Sequence, residues 1–283
     1  MPKLQAIFNR LIINKNKTKE KLMFNRKKEL LSYLEQITAE YEKAVEVVPE
    51  LLADTKQDFI FSKNTVFEAV SAGELLIPVV GGFSAGKSTA LNNILGSDTI
   101  LPVAVTAETA IPAELRYSTD EYINALTITG VCERHAISDL PDLSINAKNY
   151  EVVQVYLNRE TLKAIEPFTL VDMPGFDAPI EQHNNAILRY LSRGSYYIYM
   201  LNTKDGNLNR QDLRRLDDIV NMGRNFSIFL TKKDLCTETE LAGVHQYVAD
   251  QVQTAYGNFF KIHSIDHHNT DLITQELKDI DPN

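Results

Sequence analysis

Apolar residues recur at helical spacing before residue 70 and in short, nearly continuous runs after it. From Glu29 to Val48, the residues Leu30, Leu34, Ile37, Tyr41, Ala44, Val45 and Val48 fall on one stripe. That 3.6-residue period predicts an amphipathic helix. Pro49 interrupts it, since proline lacks the N–H that a helix interior needs. A second helical stretch is expected through Leu51 and Phe59 to Val70. Helices this apolar on one side need a partner, either the globular body or helices from elsewhere.

Beyond residue 70 the pattern changes to strands alternating with helices. Strands are expected at Leu75–Val80, Ala110–Tyr117, Ile123–Thr129, Val152–Leu157, Phe168–Val171, Tyr196–Leu201, Ile228–Thr231 and Phe259–Ser264. Helices are expected at Ser88–Leu95, Ile180–Ser192, Gln211–Met222 and Glu238–Tyr256. Such alternation predicts an α/β sheet covered on both faces, with ligands at the carboxyl ends of its strands. The expected organisation is a helical segment over residues 1–70 and an α/β domain over residues 71–283.

Composition narrows this little: 44% hydrophobic and 24% charged residues are ordinary for a globular chain of 283 residues. No apolar run is long enough to span a bilayer, and Met1–Asn14 carries no secretory cleavage pattern. Cys132 and Cys236 make no disulfide framework, so a reducing, cytoplasmic location is expected. His267 and His268 are read as a solvated pair rather than metal ligands. Charge changes the picture more. Residues 1–28 hold nine Lys and Arg against Glu20 alone, while the remainder holds 20 basic and 37 acidic residues. An acidic body argues against nucleic acid as a partner. The basic arm carries Leu4, Ile7, Phe8, Leu11 and Ile12 at helical spacing. That stripe fits packing on another helix, the preferred reading, or an anionic membrane surface.

The chemistry is concentrated at three strand ends. "VVGGFSAGKST" contains Gly81-x-x-x-x-Gly86-Lys87-Ser88 between a predicted strand and a predicted helix, the setting of a P-loop. Its glycines let backbone N–H groups curl around phosphate oxygens, and the helix start adds its positive dipole end. Lys87 is placed to reach the β- and γ-phosphates and Ser88 to ligate Mg²⁺. "TLVDMPGFD" ends a strand with Asp172, suited to holding Mg²⁺ through water, and Gly175, whose N–H is suited to sensing the γ-phosphate. "SIFLTKKDL" ends another with Thr231, Lys232 and Asp234. A carboxylate there accepts from guanine N1 and N2, the Lys232 stem covers the base, and adenine offers no such donor pair.

Together "VVGGFSAGKSTALNNILG", "ILPVAVTAETAIPAELRY", "LVDMPG" and "LTKKD" resemble the dynamin superfamily of large GTPases, most closely its bacterial members, over roughly residues 70–265. The resemblance implies a P-loop GTPase domain whose mostly parallel, helix-covered sheet is extended by extra strands, beside an N-terminal helical segment. The 63 positions from Thr109 to Asp172 leave room for those strands. It implies GTP hydrolysis, with Ser84, Lys87, Thr109 and Gly175 at the reacting phosphate and Ser88, Thr109 and Asp172 around Mg²⁺. The nucleotide contacts implied are Gly82, Phe83, Ser84, Ala85, Gly86, Lys87, Ser88, Thr89, Asp172, Gly175, Thr231, Lys232, Asp234, Leu235 and, on the base-side loop, Ser264. A monovalent cation (K⁺ or Na⁺) beside Ser84, a transient homodimer through the G domain, and a peripheral membrane or a partner dynamin-like protein complete the expectation. Two departures stand out. Phe83 occupies the position of the water-placing glutamine of eukaryotic dynamins. The chain also ends at "TQELKDIDPN", where such proteins continue into a helical stalk. Either the chain is a fragment cut at the G domain, or residues 1–70 are all the stalk it has. Two alternatives stay open: a nucleotide-gated scaffold with negligible turnover, and an Era-like ribosome-associated GTPase.

Overall fold

The helical period before residue 70 is realised as α1 over residues 27–47 in the computed structural model, which describes residues 27–52, 55, 59–60, 63–64, 66–67, 70–71, 73–96, 100–102, 111–175, 193–257 and 260–280. The chain breaks at Val48 and resumes as α2 (Pro49–Leu52). Proline is tolerated at the first helical position, where the missing N–H has no intrahelical partner. Tyr41 of α1 stacks on Phe59 at 3.8 Å between centroids, its hydroxyl lies 3.1 Å from Thr55 Oγ1, and Lys27 donates to the Ser71 carbonyl. Leu34, Tyr41, Ala44 and Val45 are half-buried, whereas Leu30, Ile37 and Val48 of the predicted stripe are exposed. Two compact units divide between Glu74 and Leu75.

The second unit is built on a nine-stranded sheet. Its strands are β1 (Leu75–Gly81), β2 (Ala113–Tyr117), β3 (Tyr122–Thr127), β4 (Cys132–His135), β5 (Tyr150–Leu157), β6 (Phe168–Asp172), β7 (Tyr196–Asn202), β8 (Asn225–Thr231) and β9 (Ile262–Ser264). They lie in the order β4-β3-β5-β2-β6-β1-β7-β8-β9. Pairing is parallel from β6 through β9 and between β2 and β5, and antiparallel for β2–β6, β3–β5 and β3–β4. The sheet is therefore mixed, and β3, β4 and β5 fill the long interval before Asp172.

Alternate residues of β1 point to opposite faces. Ile77 and Val79 join a core with Leu91 and Ile94 of α3 (Lys87–Ile94), Leu140 of α4 (Leu140–Ile145), Leu162 of α5 (Glu160–Lys163) and Leu277 of α8 (Asp271–Asp279). Leu76 and Val80 join the other, with Leu216 and Ile219 of α6 (Arg210–Asn221) and Val248 and Val252 of α7 (Glu238–Tyr256). Burial on both faces explains the continuous apolar runs of β1, β7 and β8.

The sequence reading and the structure differ at several places. The strand expected from Ala110 begins at Ala113 among the described residues, and β3 ends at Thr127, before a turn with Gly130 at φ 81°. Strand β4 went unread because "CERH" shows no apolar alternation, and α4 and α5 are too short to display a helical period. The helix expected at Ile180–Ser192 lies outside the described residues.

Candidate functional site

The carboxyl ends of β1, β6, β8 and β9 gather the three motifs at one rim. Gly81 closes β1 against β7: a Cβ there would sit 2.2 Å from the Met200 carbonyl oxygen. The first P-loop glycine is thus demanded by strand packing. Gly86 answers a different need, since it caps α3 with a left-handed backbone (φ 83°) that lets the loop turn into the helix. Between them Ala85 N–H donates to the Gly82 carbonyl at 3.2 Å. Lys87 is folded inward, 5% exposed, with Nζ donating to the Gly81 and Gly82 carbonyls at 3.0 and 2.8 Å. Ser84 and Thr89 are exposed around it.

Ser88 Oγ donates to Asp172 Oδ2 at 2.7 Å, joining the helix start to the end of β6. Asp172 Oδ1 is buried with no hydrogen-bond partner. Burial pushes the Asp172 pKa up to about 6, against the downward pull of the Ser88 hydrogen bond and the Lys87 charge. A buried, orphaned carboxylate oxygen is costly unless a cation or its water meets it. The Ser88–Asp172 pair therefore fits a hard divalent ion held by oxygen ligands. Past Asp172 the chain leans on the P-loop: a Cβ on Gly175 would lie 2.9 Å from the Phe83 Cα. Phe83 itself is 36% exposed. On the other side β2 runs antiparallel to β6, with Ala113 opposite Asp172. The segment entering β2 therefore arrives at the same rim. Thr109, four residues earlier, lies outside the described residues.

The third motif is wired to the first. Thr231 Oγ1 donates to the Ala85 carbonyl at 2.8 Å, and Lys232 Nζ donates to the Ser84 carbonyl at 3.0 Å. Lys232 has a left-handed backbone (φ 59°), the only non-glycine residue among those described with positive φ. Thr203 Oγ1 holds it by donating to the Lys232 carbonyl at 3.0 Å. Asp234 and Leu235 follow in a short 3₁₀ turn, both exposed at the rim. The base-side loop after β9 packs against them: Lys233 N–H donates to the Ile265 carbonyl, and Lys233 Nζ lies 3.5 Å from Asp266 Oδ2.

Two features escaped the sequence reading. Thr203 carries no motif signal. His267, read as a solvated neighbour of His268, lies with Nε2 3.8 Å from Asp234 Oδ2, whereas the Ser264 carbonyl accepts from Asn269. Among the described residues no group of three or more His, Cys, Asp or Glu could hold a metal ion, and no helix is long and apolar enough to cross a membrane.

This site and fold have relatives. A bacterial dynamin, solved in work on an oligomerised pair that senses and tethers membranes at long range, superposes with a TM-score of 0.59 at 22% identity, over 78% of this chain and 37% of that one. The "Dynamin-like protein 2" of Campylobacter jejuni is 26% identical over 60% of this chain and 28% of its own length. An uncharacterised protein encoded in the xynA 3′ region of Caldicellulosiruptor sp. is 21% identical over 69% of this chain and 50% of its own. The chain thus spans half or less of these relatives. The model of the dynamin family matches residues 77–234, from β1 through Asp234 and more than half of the chain. With the P-loop, the Asp172 strand end and the Asp234 loop inside that span, the chain belongs to the dynamin family and carries its G domain.

Proposed function

We propose that this chain binds guanine nucleotides and hydrolyses GTP in a magnesium-dependent reaction. The observation that carries the reading is the Ser88 hydroxyl 2.7 Å from Asp172, whose other oxygen is buried without a partner. Ser88 would hold the ion directly, Asp172 through water, and Thr109 from the segment entering β2. Bound there, Mg²⁺ neutralises charge on the β- and γ-oxygens. Lys87 releases the Gly81 and Gly82 carbonyls to bind the same oxygens. The backbone N–H groups of Gly82 through Ser88 orient the phosphates, while Ser84 would contact the phosphates or hold a K⁺ or Na⁺ ion that neutralises transition-state charge. The Gly175 N–H senses the γ-phosphate. At the other end Asp234 accepts from guanine N1–H and N2–H₂ and Lys232 covers the ring. Water attacks the γ-phosphorus in line as the bond to the β–γ bridging oxygen breaks, leaving GDP and phosphate. These residues position and stabilise rather than form covalent bonds.

A second copy completes the reaction, because Phe83 has no group to place the attacking water. The oligomerised bacterial dynamin of the same fold supports assembly between copies. Its description as tethering membranes, with the basic residues among the first 28, supports a peripheral role at the inner face of an anionic membrane. The organisation proposed is a helical segment over 1–70 and the G domain over 71–283.

Calorimetry tests the nucleotide site. Lys87→Ala is expected to weaken GTP binding by about 10²-fold, the scale of lost charge-assisted phosphate contacts. Thermal melting reads the fold alongside, because Lys87 also holds two loop carbonyls. Unchanged affinity removes the P-loop from the reading. The exposed Phe83 favours one rival, a nucleotide-gated scaffold. Single-turnover hydrolysis no faster than that of GTP in buffer would select it.

A further inference from the structure

The carboxylate expected to read the base does not stand alone. His267 Nε2 lies 3.8 Å from Asp234 Oδ2, an ion-pair rather than a hydrogen-bond separation. The loop that presents this histidine is built without its side chain. Asp266 N–H donates to Asn269 Oδ1 at 2.8 Å, His268 N–H donates to Asp266 Oδ1 at 2.7 Å, and Asn269 Nδ2 donates to the Ser264 carbonyl at 3.4 Å. Lys233 N–H ties the loop to the Asp234 turn through the Ile265 carbonyl at 3.2 Å. The imidazole is therefore a substituent on a prebuilt scaffold, and it is 61% exposed against 32% for Asp234.

The other charges nearby are accounted for. Lys233 faces Asp266 at 3.5 Å, Lys232 Nζ donates to the Ser84 carbonyl, and the His268 ring meets His267 edge-on at 5.4 Å. Imidazole is the side chain whose unperturbed pKa places its change of charge between pH 5 and 8. A proton on His267 therefore sets a positive charge against the base-reading carboxylate, with the His268 ring beside it.

We propose that His267 is a base-selectivity residue: in its protonated state it competes for the Asp234 carboxylate, so that the preference for guanine over hypoxanthine weakens as pH falls. The inference rests on the reading of Asp234 as the guanine acceptor. Guanine offers Asp234 two donors, N1–H and the N2 amino group, whereas hypoxanthine offers N1–H alone. With a neutral imidazole, hypoxanthine leaves one carboxylate oxygen poorly paired and is rejected for it. An imidazolium drawn in from its 3.8 Å separation supplies a charged donor to the carboxylate, which relieves hypoxanthine and makes the guanine amino group compete.

The test compares GDP, IDP and ADP binding to the full chain at pH 7.5 and 5.5. GDP and IDP carry the same diphosphate, so phosphate protonation cancels in their ratio. The ratio Kd(IDP)/Kd(GDP) is expected to fall by about threefold or more in the wild type, from the gain of one charge-assisted contact. It should stay constant in His267→Ala and His267→Gln and fall as in wild type in His268→Ala. A constant wild-type ratio, or an equal fall in His267→Ala, overturns the proposal while leaving guanine recognition intact. Equal binding of ADP and GDP at pH 7.5 overturns the reading of Asp234 itself, and this proposal with it.

Discussion

At the scale of single residues, the site is held by side chains that reach backbone carbonyls of the P-loop. Thr231 and Lys232 reach the carbonyls of Ala85 and Ser84, and Lys87 turns back on Gly81 and Gly82. Such contacts keep a glycine-rich loop in shape, because a loop with few side chains has little else to pack with. Asp234 differs: its carboxylate is turned to the rim, 32% exposed, and is not part of that scaffold. Asp234→Asn is therefore expected to leave the fold intact and change the base chosen. The amide donates to the 2-oxo group of xanthine where the carboxylate accepted from guanine. GTP affinity should drop by about 10²-fold, the cost of two mismatched charge-assisted contacts, while xanthosine triphosphate binding rises. Competition binding reads both, and wild-type protein that takes ATP as readily as GTP would refute the assignment. The Lys232, Thr231 and Asp234 triplet was legible in the sequence because its chemistry is contiguous. Thr203 was not, because its only signal is the carbonyl it meets 29 residues away.

At the scale of elements, α8 shows how the last helix is fastened to the sheet. Glu276, 3% exposed, lies against β7, β8 and β9. Its Oε1 accepts from Ser227 at 3.0 Å and Tyr196 at 3.2 Å, and its Oε2 from Lys261 at 2.9 Å, with His263 Nε2 at 3.3 Å. Burial pushes its pKa up, but hydrogen bonds from His263, Lys261 and Ser227 overcome this and hold it at about 2. A folded-state pKa below the ordinary carboxyl value of 4.5 stabilises the fold above that value. The contribution is lost as pH falls from about 4.5 towards about 2. Glu276→Gln is expected to cost roughly 1–3 kcal/mol at neutral pH, the range for hydrogen bonds to a charged group, and to flatten acid destabilisation in that window. Denaturant titrations at pH 7, 4.5 and 3 check both. An equally steep acid loss in the variant would assign it to other carboxylates. No helix was legible at α8 in the sequence, because a nine-residue helix with two fully buried apolar residues, Ile273 and Leu277, shows too little period to be read.

At the scale of the whole molecule, the residues proposed to meet phosphate, metal and base lie at one rim of the sheet, at the carboxyl ends of β1, β6 and β8. If a second copy completes the site, kcat per protomer should rise with protein concentration between sub-micromolar and tens of micromolar. GDP with a metal fluoride and K⁺ or Na⁺ should then promote dimers in light scattering that GDP alone does not. Monomers under every condition, together with a flat rate, would refute assembly at this face. What the sequence determined by itself is local. Contiguous apolar runs mark strands buried on both faces, and the spacing of glycine, lysine and serine after one of them marks a phosphate loop. Asp172 and Asp234 stand at strand ends because those runs stop there. The tertiary structure alone decided which distant residues meet. Ser88 finds Asp172 84 residues on, and Thr231 finds Ala85 across 146. Asp234 finds His267. Gly81 and Gly175 must lack side chains because the Met200 carbonyl and the Phe83 backbone occupy the space. The reason is physical. Strand order and direction follow from pairing edges and filling both faces of the sheet at once, and such long-range pairing leaves no period in any single segment.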